Sequence, residues 1–213
     1  MPVQAKICGL TTPGTVDAAV AGGAAWVGFV FFPPSPRNVC PDLAARLAAR
    51  VPPRVGRVGL FVNADDALID SAVRAAALTA IQLHGLEPPA RAAALKARHG
   101  VEVWKALPVR TAADVAATGG WRGVVDRVLL DAKPSAGAAL PGGNGLRFDW
   151  QLLADSRPPL PWMLAGGLDA ANLGDAVGVT GARAVDVSSG VEVAPGVKDP
   201  QKIAEFLHIA GQL

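Results

Sequence analysis

Eight short apolar runs divide the chain, beginning near Val3, Ala25, Arg54, Thr79, Val101, Arg127, Pro161 and Arg183. Their mean spacing of about 26 residues has room for one strand, one helix and two loops. Several runs are apolar at consecutive positions, such as Trp26-Val27-Gly28-Phe29-Val30-Phe31, Val58-Gly59-Leu60-Phe61-Val62 and Val128-Leu129-Leu130. A strand reads this way when both faces are covered, as in a parallel sheet with helices outside it.

Helix signals fill the gaps. Thr12-Pro13 and Asp199-Pro200 read as an N-cap followed by proline at the first helical position. Thr111 and Asp114 have the spacing of a capping box. Leu43 with Leu47, and Ile203, Phe206, Leu207 and Ala210, repeat at helical intervals. Asp169 is a candidate cap for a helix through Ala170, Leu173 and Ala176, and Gly22-Gly23 reads as a helix stop.

Eight strand-helix alternations in 213 residues predict a (β/α)8 TIM barrel near the small end of its size range, as one domain over residues 1–213. An open doubly wound sheet is the competing architecture. It usually carries Gly-x-Gly-x-x-Gly after its first strand, and none follows Cys8 here. Residues 133–147, rich in Gly, Ala and Pro, are long for a connection and suggest a lid.

Composition narrows the function. Twenty basic and eighteen acidic side chains leave a net charge of +2, with no basic run, so nothing favours a nucleic acid partner. The longest strongly apolar stretch, residues 26–32, is too short for a bilayer, and the N-terminus carries no secretory pattern. Two cysteines cannot build a disulfide framework or a four-cysteine zinc site. A cytoplasmic, monomeric protein is the default expectation. His84, His99 and His208 fall on separate units, so no metal site is expected.

In a barrel of this kind, chemistry sits at the C-terminal ends of the strands. Cys8 closes strand 1, either as a small buried side chain or as a thiolate base. Asp131 closes strand 6; a carboxylate there must be paired, hydrated or functional. Arg37, in Ser35-Pro36-Arg37, could clamp a carboxylate or phosphate, or lie on the surface. His84 could donate to a substrate or satisfy a loop carbonyl, and Asp186 could cap a loop, donate a proton or bind sugar hydroxyls. Gly166-Gly167 and Ser188-Ser189-Gly190 follow strands 7 and 8, where side chains small enough for backbone N–H groups to approach a phosphate are needed. Cys40, before Pro41, reads as structural.

Lys6-Ile7-Cys8-Gly9, Gly28-Phe29-Val30-Phe31 with Ser35-Pro36-Arg37, Gln82-Leu83-His84-Gly85, Leu130-Asp131, Gly142-Gly143-Asn144-Gly145 with Phe148-Asp149-Trp150, Leu164-Ala165-Gly166-Gly167-Leu168 and Asp186-Val187-Ser188-Ser189-Gly190-Val191-Glu192 together resemble phosphoribosylanthranilate isomerase of tryptophan biosynthesis. The resemblance runs the length of the chain in order. It implies a (β/α)8 barrel without a cofactor. The implied reaction is the Amadori rearrangement of N-(5'-phosphoribosyl)anthranilate to 1-(2-carboxyphenylamino)-1-deoxyribulose 5-phosphate.

On this resemblance Cys8 matches the general base and Asp131 the general acid. Arg37 matches the residue holding the anthranilate carboxylate. Gly166, Gly167, Ser188, Ser189 and Gly190 match the phosphate site, and His84 and Asp186 fall at further site positions. Asn38 stands where many relatives carry an aromatic residue, which leaves Phe31, Phe32 or Leu83 as contacts for the anthranilate ring. Two rival functions remain: another sugar-phosphate isomerase or epimerase on the same scaffold, and a phosphate-binding barrel without catalysis. The former usually places an acidic residue at the end of strand 1 or uses a metal, and the Cys8 and Asp131 pair argues against both.

Overall fold

A computed structural model of the chain describes residues 2–132, 148–154 and 156–213. Eight parallel strands close into a barrel in sequence order: β1 (Gln4–Cys8), β2 (Trp26–Phe31), β3 (Gly56–Phe61), β4 (Ala80–Leu83), β5 (Glu102–Val109), β6 (Arg127–Ala132), β7 (Trp162–Leu164) and β8 (Ala184–Val187). Each begins within two residues of its expected start. The helices between and after them are α1 (Pro13–Ala21), α2 (Pro41–Ala48), α3 (Asp66–Ala75), α4 (Pro89–His99), α5 (Ala112–Ala117), α6 (Gln151–Ala154), α7 (Leu173–Thr180) and α8 (Pro200–Gln212). The lid expected over residues 133–147 lies outside the described residues.

The apolar runs have two destinations. Ile7, Val27, Phe29, Phe61, Ile81, Val103, Val128, Leu130 and Val185 point outward into the large core shared with the helices. Their neighbours Val58, Ala80, Trp104, Ala106, Leu129, Met163 and Ala184 point inward and fill the lower barrel. Cys8, Val30 and Leu60 form a further inner cluster. Two buried faces remove the polar alternation that a half-exposed strand would show.

The barrel floor is sealed by aromatic rings. Trp26 meets Trp104 edge to face with centroids 5.5 Å apart. The Arg127 guanidinium lies 4.9 Å from the Trp26 centroid and 5.3 Å from that of Trp104. Trp26 fits because residue 56, opposite it in register, is glycine. A Cβ there would stand 2.2 Å from Trp26 Cδ1.

The helix caps follow their sequence signals. Thr12 and Asp199 each accept a backbone N–H at the start of α1 and α8, and Thr111 with Asp114 forms the capping box of α5. Asp169 caps the turn that leads into α7. It exchanges hydrogen bonds with Asn172, and α7 begins only afterwards, at Leu173. Cys40 precedes α2 without a side-chain cap bond. A small antiparallel hairpin not expected from the sequence, β9 (Glu192–Ala194) and β10 (Val197–Lys198), precedes α8. No helix among the described residues is long and apolar enough to cross a membrane.

Candidate active site

Strand alternation brings Lys6 and Cys8 to the inner side of β1. Lys6 is fully buried, and its Nζ donates to Asp186 Oδ1 at 2.9 Å. Gly28 lies opposite Cys8 in the β1–β2 register. A Cβ on residue 28 would stand 3.1 Å from Cys8 Sγ and 3.2 Å from Lys6 Cε, so the missing side chain makes room for both. Burial pushes the Cys8 thiol up from its ordinary value, while the Lys6 ammonium pulls it down. Burial also works against the charge on Lys6, but Asp186 and Cys8 outweigh it and hold its pKa high.

On β6, Leu129 points inward, so Asp131, two residues on, faces the same interior. Its Oδ1 accepts from the Ala132 N–H at 2.8 Å, and its Oδ2 lies 3.4 Å from His84 Nε2. Gln82 Nε2 lies 3.3 Å from His84 Nδ1. With the Gln82 amide as donor, Nδ1 accepts and the ring hydrogen faces the carboxyl group.

The loop carrying His84 is braced from below. Glu87 accepts from Asn63 N at 2.7 Å and Gly85 N at 2.9 Å, and Lys105 Nζ bridges Gly85 O and Glu87 Oε2.

The two glycine-containing loops meet. Gly166 and Gly167 adopt φ of 86° and 64°, a region that favours glycine. A Cβ on Gly190 would stand 2.0 Å from Leu168 O, so the loops after β7 and β8 touch through their backbones. A Cβ on Gly166 would stand 3.0 Å from Asp131 Oδ1, which sets the β7 loop beside the carboxyl group. Ser188 Oγ donates to Cys8 O at 3.3 Å and accepts from Lys198 Nζ at 3.1 Å. Ser189 and Gly190 form a short 3-10 turn, Ser189–Val191.

Arg37 is buried, so the surface reading of this residue does not hold. Its Nε and Nη2 donate to Glu192 Oε1 and Oε2 at 2.7 and 2.8 Å. Glu192 Oε1 also accepts from Lys198 Nζ at 2.7 Å. Burial opposes the Glu192 charge, but Arg37 and Lys198 more than offset it and hold its carboxyl below the usual range. The hairpin tip reaches the same loop. Gly196 has φ of 83°, and a Cβ there would stand 2.6 Å from Pro36 O.

Lys6 and Gln82 stand in the strand-end motifs with no role assigned from the sequence, and Glu87, Lys105 and Lys198 were missed as parts of this region. The available signal was a polar residue flanked by apolar ones inside a strand, as in Ala5-Lys6-Ile7 or Trp104-Lys105-Ala106. Two of the three expected ring contacts are also corrected. Phe31 and Leu83 point outward into the helix-facing core, where Phe31 stacks on Phe61. Phe32 packs with Cys8, Val30 and Leu60. Among the described residues no group of three or more His, Cys, Asp and Glu is placed to hold a metal ion.

Comparison with known proteins agrees with this arrangement. The family model described as "N-(5'phosphoribosyl)anthranilate (PRA) isomerase" matches residues 5–209. A relative of that name from Rhodospirillum centenum is 55% identical over 214 residues, covering 100% of both chains. One from Paracoccus denitrificans is 55% identical, covering 97% of this chain and 96% of its own.

The crystal structure of phosphoribosyl anthranilate isomerase from Thermotoga maritima superposes with a TM-score of 0.87 at 37% identity, covering 99% of this chain and 100% of that one. A structure of such an isomerase with reduced 1-(o-carboxyphenylamino)-1-deoxyribulose 5-phosphate superposes with a TM-score of 0.84 at 36% identity, with the same coverage. With the barrel, the order of its site residues and these matches in agreement, the chain belongs to the phosphoribosylanthranilate isomerase family.

Proposed function

We propose that the chain converts N-(5'-phosphoribosyl)anthranilate to 1-(2-carboxyphenylamino)-1-deoxyribulose 5-phosphate, with Cys8 as general base and Asp131 as general acid. The observation that carries this reading is a thiol and a carboxyl group on inner faces of one barrel, at the C-terminal ends of β1 and β6, beside two touching glycine loops.

Asp131 gives a proton to the furanose ring oxygen as the C1–O bond breaks. The anthranilate nitrogen lone pair forms the C=N bond of an iminium ion. The Cys8 thiolate then removes the acidified C2 proton, and that electron pair forms a C1=C2 double bond and neutralises the nitrogen. The enolamine gains a proton at C1 as the C2 hydroxyl loses one, which gives the ketose. General acid and base contributions are about 10²- to 10⁴-fold each.

His84 orients the Asp131 carboxyl. Backbone N–H groups around Gly166, Gly167, Ser188, Ser189 and Gly190 take the phosphate. Arg37 takes the anthranilate carboxylate, with Glu192 fixing the plane of the guanidinium. Asp186, with 11% of its side chain accessible, adds an acceptor for a sugar hydroxyl. Two unpaired cysteines fit a reducing, cytoplasmic setting.

The test is incubation with phosphoribosylanthranilate in deuterated water. The expected product has the substrate's connectivity changed to the ketose and carries solvent deuterium at C1. No conversion would remove the reading and favour a barrel that binds phosphate without catalysis.

A further inference from the structure

Lys6 lies wholly inside the barrel, on the same face of β1 as Cys8 and above a floor formed by Val58, Ala80, Trp104, Leu129, Met163 and Ala184. A charged group in such a place is costly unless paired, and an apolar side chain of similar volume would fill the space without that cost. The ammonium is paired with Asp186 at 2.9 Å. Lys6 Cε and Cys8 Sγ both border the space left empty by Gly28.

The other surroundings of the thiol are few in charge. β2 offers Gly28 and Val30, and β3 offers Leu60. β8 offers Asp186 and the Ser188 hydroxyl, and the hairpin offers Lys198, with Glu192 bound to it. Arg37, after β2, packs against Gly9. Burial alone disfavours a thiolate here, and Lys6 is the largest influence acting the other way.

We propose that Lys6 is a positioning residue for the reaction, an internal ammonium that supports the thiolate form of Cys8, with Asp186 setting how much of its charge the sulfur feels. This deepens the proposed function and rests on Cys8 being the base. It also gives Asp186 a task beyond contact with substrate. Lys6 touches no reacting atom; it acts through the sulfur, which must be ionised before it can take the C2 proton.

The experiment is a pH titration of thiolate ultraviolet absorbance in the full chain carrying Cys40→Ser. The chain has two cysteines and no tyrosine, so the signal belongs to Cys8 without tyrosinate overlap. Lys6→Met should raise the midpoint by about one to three pH units, and Asp186→Asn should lower it. The double variant Lys6→Met/Asp186→Asn leaves no unmatched member of the pair, so it decides the matter if Lys6→Met does not fold. Its midpoint should lie above that of Asp186→Asn by a similar margin.

Unchanged midpoints, or shifts of the same sign on removing either partner, would show that Lys6 only fills and pairs, and would overturn the proposal. The titration needs no substrate. Ordinary turnover in Cys8→Ala would instead overturn the catalytic reading on which the proposal rests, whatever the titration shows.

Discussion

The guanidinium of Arg37 and the carboxylate of Glu192 meet edge to edge inside the protein, Nε to Oε1 at 2.7 Å and Nη2 to Oε2 at 2.8 Å. The residues are 155 positions apart, and the contact joins the loop after β2 to the hairpin after β8. Glu192→Gln keeps the shape but removes the charge shared by Arg37 and Lys198. Breaking one partner of a buried pair costs about 3 to 5 kcal/mol. The expected outcome is a lower melting temperature and a KM raised more than kcat is lowered. Thermal melts and steady-state kinetics on one preparation check it, and an unchanged KM would separate Glu192 from substrate binding.

Arg37→Ala addresses the binding role itself. The anthranilate carboxylate does not react, so its partner contributes nearly equally to ground and transition states. Losing a hydrogen bond to a charged group costs about 1.5 to 3 kcal/mol, or about 10- to 150-fold in KM, with a smaller change in kcat. Glu192 keeps Lys198 as partner, so the fold should persist. Unaltered KM would place the carboxylate elsewhere.

Much of this arrangement is legible in the sequence, because strand period and strand end carry the information. Inward and outward positions alternate along β2, so the apolar run shows a strand covered on both sides. That same alternation, applied residue by residue, separates Phe31 from Phe32 as a ring contact, which apolarity alone does not. The Lys6 and Asp186 pair was beyond reach for a different reason. It spans 180 residues and exists because closing the barrel sets β1 against β8 with Lys6 opposite Asp186. The hairpin strands β9 and β10 are three and two residues long, too short for a periodic signal.

Gly190→Ala tests the contact between the glycine loops. The new methyl group would fall 2.0 Å from Leu168 O, a backbone atom that cannot swing aside. Moving the loop by about 1 Å is enough to cost about a hundredfold in kcat/KM. Inhibition by inorganic phosphate should weaken in parallel. Retained phosphate inhibition would mean that the anion binds away from this contact.

Acid sensitivity follows from the brace under His84. Burial opposes the charge on Glu87, but Lys105 and the backbone N–H groups outweigh it and hold the folded pKa below 4.5. A carboxylate lowered on folding stabilises fully above its unfolded value, and that contribution fades as pH falls through the folded one. Urea melts should therefore show wild type more stable than Glu87→Gln at neutral pH, with the gap narrowing below pH 4.5. A gap independent of pH would show that the loss is steric.

The central claim is that the Cys8 sulfur and the Asp131 carboxyl group move the protons of the isomerisation. Its most direct test is kcat for Cys8→Ala and Asp131→Asn with phosphoribosylanthranilate, beside circular dichroism of each variant. Each kcat should fall by about 10²-fold or more, with native spectra. Turnover close to wild type in either variant, with the fold intact, would contradict it.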